Sequence, residues 1–206
     1  YARSENYNGV DKKVSVSTRC RLAAKCRWDS DNTLEYWLSR DPSADVREMI
    51  ATNSHFSQTH GVLAVDSSKR VRWALAKNRY ITAATFRIMV SDDSTAVQLA
   101  LAGNCDFSKE QEIDPLVNVL ANSPSRRVRA RLASTTRESN VLRALEYDSV
   151  DAVRLEVARN PKTSGDVLDH LYFDSCREVR RAAAAHKGLL GHNYKMIPEG
   201  DPELLI

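Results

Sequence analysis

Apolar residues recur along this chain in a fixed phase. A small apolar residue is followed, four and five positions later, by an aliphatic residue and an alanine: Val46, Ile50, Ala51; Val71, Leu75, Ala76; Val97, Leu101, Ala102; Val128, Leu132, Ala133; Val153, Val157, Ala158; Val179, Ala183, Ala184. A degenerate copy, Thr18, Leu22, Ala23, precedes them. Offsets of 0, 4 and 5 fall on one side of a helix. A second apolar mark follows each copy at Leu38, Leu63, Met89, Leu120, Leu145 and Leu171. A less regular site lies three residues before it, at Glu35, His60, Phe86, Val117, Leu142 and Leu168. Each stretch therefore predicts two short antiparallel helices. The starts at 18, 46, 71, 97, 128, 153 and 179 are spaced by 28, 25, 26, 31, 25 and 26 residues. A unit of that length cannot enclose its own apolar side, so neighbouring units must stack.

The polar positions keep the same phase. An acid stands five residues before each copy at Asp41, Asp66, Asp92, Asp148 and Asp174, with Ser123 in the remaining interval. With Ser68, an acid such as Asp66 is placed to cap the N–H groups that open a helix. Asn53, Asn78, Asn104 and Asn160 close the phrase, and Asn tolerates the left-handed conformation after a last helical turn. Pro161 adds a stop signal behind Asn160. Alanine at offset 5 in every copy implies helices that cross closely. Offset 1 carries Arg19, Arg47, Arg72, Gln98, Arg129, Arg154 and Arg180. One arginine per unit admits two readings: a basic ladder for a phosphate backbone, or an internal ladder paired with the acids. The acids repeat in step with the arginines, and guanidinium forks suit carboxylates, which favours the internal ladder.

The phrase Asp-x4-Val-Arg-x2-aliphatic-Ala-x-Asn, followed by a turn and a Leu-bearing helix, resembles two related families over roughly residues 12 to 190. HEAT-like repeats carry an acid with an arginine six residues later, as in Asp41/Arg47, Asp66/Arg72, Asp148/Arg154 and Asp174/Arg180. The stretch from Ala158 to Arg180 looks very like a unit of the leucine-rich repeat variant family. The resemblance implies an all-α, right-handed α-solenoid of about seven two-helix repeats. In the leucine-rich repeat variants the second helix is of the 3₁₀ type. One such protein holds an iron–sulfur cluster on an N-terminal cysteine cluster; this chain lacks that cluster, so no cofactor is carried over. HEAT-like proteins mostly hold a partner along a concave groove, and some bacterial ones excise alkylated bases from DNA.

Composition narrows the picture only slightly. The 206 residues are 42% apolar, and 30 basic residues against 27 acidic ones give a net charge of +3, unlike a histone-type binder. No apolar stretch approaches the ~18 residues of a membrane span. Cys20, Cys26, Cys105 and Cys176 lack paired metal-ligand spacing and read as free thiols, which points to the cytoplasm. The chain opens at Tyr1, which reads as a trimmed sequence and leaves a signal peptide undecided. The repeat domain spans 1–191. Residues 192–206 read as a tail that caps the last unit or docks elsewhere.

Candidate binding residues are those outside the paired columns. Lys69 and Arg70 flank Arg72; Arg126, Arg127 and Arg131 crowd Arg129; Arg177 and Arg181 crowd Arg180. They form either a patch for an anionic partner or a solvated face. Trp73 sits at offset 2, a variable site, and is either a partner hot spot or a gap filler between units. The 31-residue interval places extra residues near Phe107 to Asp114, with Glu110 and Glu112, and Asp114-Pro115 opens the next helix. No phosphate loop, nucleophile elbow or zinc-protease motif occurs. His55 and His60 are five apart, Asp169-His170 reads as surface, and Cys176 and His186 lack a third partner. The expectation is a non-enzymatic scaffold without metal or cofactor, holding a protein along its concave face. The alternatives are nucleic-acid-backbone binding through the arginine clusters and, third, base excision using Asp93 or Glu48 with Trp73. Oligomeric state is not legible.

Overall fold

The apolar phase becomes helices. The computed structural model describes residues 6–7, 10–11, 14–25, 33–104 and 114–186. By internal contacts the chain divides into two compact units, Tyr1–Asn104 and Cys105–Ile206. The first unit opens with a minimal antiparallel ladder, β1 (Asn6–Tyr7) with β2 (Val10–Asp11). It continues through α1 (Val16–Lys25), α2 (Thr33–Leu38), α3 (Ala44–Asn53), α4 (Ser57–Leu63), α5 (Lys69–Ala76), α6 (Ala83–Met89) and α7 (Thr95–Ala102). The second contains α8 (Asp114–Ala121), α9 (Arg126–Thr135), α10 (Ser139–Leu145), α11 (Asp151–Arg159), α12 (Gly165–Leu171) and α13 (Arg177–His186). Cys26, Trp28, Cys105, the insertion acids Glu110 and Glu112, and the tail 192–206 lie outside the described residues.

Apart from the β1–β2 ladder, each unit is a stack of helical hairpins among the described residues. First helices lie side by side, α1 on α3 on α5 on α7 and α9 on α11 on α13. Second helices wedge between successive first helices, as α4 does between α3 and α5 and α12 between α11 and α13. The second helices are α-helical rather than 3₁₀, seven residues long in α4, α6, α10 and α12. Such pieces are too short to persist alone in water, so packing holds them. From α3 to α13 all three columns of the first helices are enclosed, with the alanines from Ala51 to Ala158 fully covered, while Thr18 and Leu22 of the degenerate copy are half-buried. The two marked columns of the second helices are enclosed as well, including the polar Glu35 and His60, which occupy the place of Phe86, Val117, Leu142 and Leu168.

The arginine column is the internal ladder. In each rung Nε and Nη2 donate to the two carboxylate oxygens of the next acid. Arg129 meets Asp148 at 2.6 and 3.0 Å, and Arg154 meets Asp174 at 2.6 and 2.9 Å. Arg19–Asp41, Arg47–Asp66 and Arg72–Asp92 repeat the fork in the first unit. The third arm, Nη1, donates to the backbone carbonyl of the unit's own acid: Asp41 from Arg47, Asp66 from Arg72 and Asp148 from Arg154. Gln98 keeps that arm, giving its Nε2 to the Asp92 carbonyl at 2.8 Å. Gln98 replaces an arginine, and the next position in the acid column is Ser123, so the two charges lapse together.

Two expected roles turn out differently. The acids do not cap helix N–H groups; Oδ1 accepts from the residue two positions on, at Ser43, Ser68, Ser94, Val150 and Cys176, which sets the turn before the helix. Such Asx turns leave the second oxygen free for arginine. Asn160 is not left-handed but extended, at φ −69° and ψ 124°. Its Nδ2 donates to Ala133 O at 2.6 Å and Thr136 O at 2.9 Å, both in the preceding hairpin. Asn78 does the same to Ala51 O and Ser54 O, and Asn104 to Ala76 O and Asn78 O. Carbonyls of a helix's last turn have no partner within the helix. Here the following unit supplies their donors, and the alanine methyl beside each carbonyl lets the amide come close.

Candidate interaction surface

Because offsets 0, 4 and 5 face the core, offsets −1, 2 and 6 of each first helix face solvent. In the first unit these are Asp45, Glu48 and Thr52 on α3, Arg70, Trp73 and Lys77 on α5, and Ala96, Leu99 and Gly103 on α7. Arg70 is not a loose cation: Nη2 reaches Glu48 at 2.6 Å and Nη1 reaches Asp45 at 3.3 Å, both on α3. Trp73 is 39% exposed, with Lys77 Nζ 4.4 Å from its ring centroid. An indole half open beneath a lysine presents an apolar edge and a positive tip. Glu48 and Asp93, the acids considered beside Trp73 for base excision, are engaged by Arg70 and Arg72 respectively.

In the second unit Arg126, Arg127 and Arg131 are exposed on α9, and Arg181 is exposed on α13. None of these four makes an ion pair among the described residues. Arg177 is half-buried at the start of α13. The acids on this face are engaged. Glu156 takes Arg159 at 3.2 Å, and Glu178 accepts the Cys176 thiol at 3.0 Å. That contact, followed by burial, raises the Cys176 thiol above its ordinary value and helps hold Glu178 below its own. Between α11 and α13 runs an open groove of about 630 Å³, lined by Ala158, Arg159, Glu178, Arg181, Ala182 and Ala185 among others. His186 closes one end, its Nδ1 2.9 Å from Ala158 O, standing in the asparagine column.

The rung arginines contribute nothing to this surface. Burial works against the charge on Asp92, Asp148 and Asp174, and the hydrogen bonds from arginine and backbone N–H outweigh it, leaving each carboxyl below its usual range. Of the other sequence candidates, His55 stacks on Tyr80 at 3.7 Å, His60 is enclosed, and Asp169 and His170 lie on the surface. Cys20 and Cys176 are free thiols. The sequence reading passed over Arg159, Ala182 and Ala185 as groove residues. Their signal was the run of alanines at 182–185, which reads as core until the helix phase separates Ala183 and Ala184 from the other two.

Stacked two-helix units tied by repeated side-chain rungs define a helical-repeat protein of the α-solenoid type. No protein-family model and no curated protein matches the chain. Among solved structures it is similar to one described as a leucine-rich repeat variant with a novel repetitive protein structural motif, at 20% identity over 82% of either chain and a TM-score of 0.32. No helix among the described residues is long and apolar enough to cross a membrane.

Proposed function

We propose that this protein is a non-enzymatic scaffold that binds a protein partner on the face that the first helices build within each unit, in the cytoplasm, where free thiols such as Cys20 and Cys176 are kept reduced. One observation carries the reading: in each unit that face alternates in sign, and in the first it includes a half-open tryptophan. Acids on α3 are followed by Arg70, Trp73 and Lys77 on α5, and the arginines of α9 and α13 are separated by Asp151 and Glu156 on α11. Interfaces between proteins favour such mixed charge around aromatic anchors. A duplex backbone instead needs an unbroken positive track.

A second reading, binding of a nucleic-acid backbone, has one supporting observation in the exposed Arg126, Arg127 and Arg131, which make no ion pair among the described residues. Affinity capture separates the two. Wild-type protein is expected to retain a protein partner that is lost with Trp73→Ala or with Arg127→Glu plus Arg131→Glu, at unchanged melting temperature. Retention of the same partner by every variant overturns the scaffold face. Capture of nucleic acid alone, weakening steeply with salt, establishes the second reading in its place.

A further inference from the structure

Beyond the scaffold reading and on other residues, we infer that the ends of α10 and α12 form a seat for an arginine side chain of a peptide, built from Tyr147, His170 and Phe173 beside the carboxylate of Glu146. The seat begins with a residue out of place. Two positions before each member of the acid column stand Ser39, Ala64, Val90, Ala121 and Tyr172, all buried, and the same column holds Glu146, 5% exposed. Its Oε2 is buried and has no hydrogen-bond partner among the described residues. His170 Nδ1 lies 3.8 Å from it, too far for a hydrogen bond. Glu146 also follows the last residue of α10, at the carbonyl end of the helix, which favours cations over anions. A buried charge without a counter-charge is costly, and a cation drawn to the spot relieves that cost.

Aromatic faces lie next to that charge. The Tyr147 ring is 4.6 Å from the His170 ring, and the Glu146 charge raises the Tyr147 hydroxyl above its ordinary value. Phe173 stands three residues after His170, in the position that Tyr147 takes one hairpin earlier. At 68% and 66%, Tyr147 and Phe173 are the most exposed of the described tyrosines, tryptophans and phenylalanines. Elsewhere the protein covers such rings with its own cations. Arg40 lies over Tyr36 at 3.7 Å, Lys77 over Trp73 at 4.4 Å and Arg79 over Tyr80 at 4.7 Å. No cation of the described residues lies over Tyr147 or Phe173. Arg143, one turn before Tyr147, reaches Asp166 instead, at 2.5 Å. With Arg143 offset by Asp166 and the neighbouring rungs closed, Glu146 sets the sign of the local charge. A guanidinium suits this arrangement better than an ammonium, because it is weakly hydrated and stacks on aromatic faces. The same negative charge turns away acidic peptides and phosphates.

The test is an NMR titration of the isotope-labelled full chain with three short peptides of equal length: alternating Arg-Gly, Lys-Gly and Glu-Gly. The Arg-Gly peptide is expected to bind and to shift the amide signals of Tyr147, His170 and Phe173. The Lys-Gly peptide is expected to bind about threefold more weakly, and the Glu-Gly peptide not at all. Tyr147→Ala and Phe173→Ala, both at exposed positions, are each expected to weaken Arg-Gly binding about fivefold. Glu146→Gln, which keeps the shape and removes the charge, is expected to do the same, with melts confirming that every variant folds. Trp73→Ala, in the other unit, is expected to leave the titration unchanged. No binding of the Arg-Gly peptide, equal binding of the Lys-Gly peptide, or undiminished binding in Glu146→Gln overturns the inference. If the seat fails while the capture experiment still yields a partner lost with Trp73→Ala, the inference falls and the scaffold reading stands.

Discussion

Asn160 shows how much one side chain does in this architecture. Its amide nitrogen serves two carbonyls of the preceding hairpin, while its Oδ1 accepts the Lys162 N–H at 2.8 Å. Asn160→Ala leaves buried carbonyls without donors and is expected to lower stability by about 2 kcal/mol. Asn160→Gly is expected to cost no less. A left-handed helix end would make glycine a good replacement, so urea melts of the two variants distinguish the roles. His60 is the residue-scale exception to an apolar column. Its Nε2 lies 3.2 Å from Ser54 O, and its Nδ1 is buried without a partner among the described residues. Burial, helped by His55 and opposed by the Ser54 carbonyl, holds the imidazole below its ordinary 6.5. The unfolded chain therefore takes up a proton near that value before the folded chain does. Stability from this site is complete above about pH 6.5 and declines as pH falls, by up to ~1.4 kcal/mol per unit. His60→Phe, copying Phe86, is expected to lose less melting temperature than wild type between pH 7.5 and 5. Equal losses would refute that assignment.

At the scale of the element, a first helix is defined by what its neighbours lend it. Arg129 has a side chain 14% exposed and Asp148 one 6% exposed, so removing either partner strands a charge. Asp148→Ala is expected to cost about 3 kcal/mol in a denaturant melt. The chain itself suggests the repair. Arg129→Gln with Asp148→Ser reproduces the pair of replacements at Gln98 and Ser123. Gln98 keeps its bond to the Asp92 carbonyl, and Ser123 still accepts the Ser125 N–H at 3.3 Å. The double variant is expected to be more stable than Asp148→Ala alone, a non-additivity a double-mutant cycle measures directly. Much of this was legible beforehand, because burial forces the same choice at every unit and a repeated choice becomes a column. The alanines, the leucines of the second helices and the pairing of arginine with acid all followed from that. What a column does not reveal is direction: that each guanidinium reaches the next acid's carboxylate but its own acid's backbone. Nor does it show that the asparagines bond outward, since residue identity is the same for either geometry.

Over the whole molecule, the rung arginines and the proposed binding arginines are different residues. Arg126, Arg127 and Arg131 take part in no rung, so replacing all three by glutamate is expected to shift stability by no more than ~0.5 kcal/mol per site. Arg129→Glu, three hydrogen bonds poorer in the same helix, is expected to be severely destabilised, and thermal melts read both. The rung set was legible in the sequence from which arginines had an acid in step. The sequence could not tell Arg70 from Arg126, Arg127 and Arg131, because the acids that hold it, Asp45 and Glu48, stand in the previous unit's solvent-facing positions and carry no repeat signature. Nor did it find the α11–α13 groove, which exists only once two helices from separate stretches lie abreast.

Every rung joins a fork on one hairpin to an identical carboxylate on the following one, and this makes the joints interchangeable. A stretch such as 148–173 carries one outgoing fork, Arg154, and one incoming carboxylate, Asp148. A tandem duplicate of it would find a ready mate at both ends. A gene encoding such a chain can lengthen or shorten by whole segments without inventing a new joint, and its descendants need differ only on the outward face.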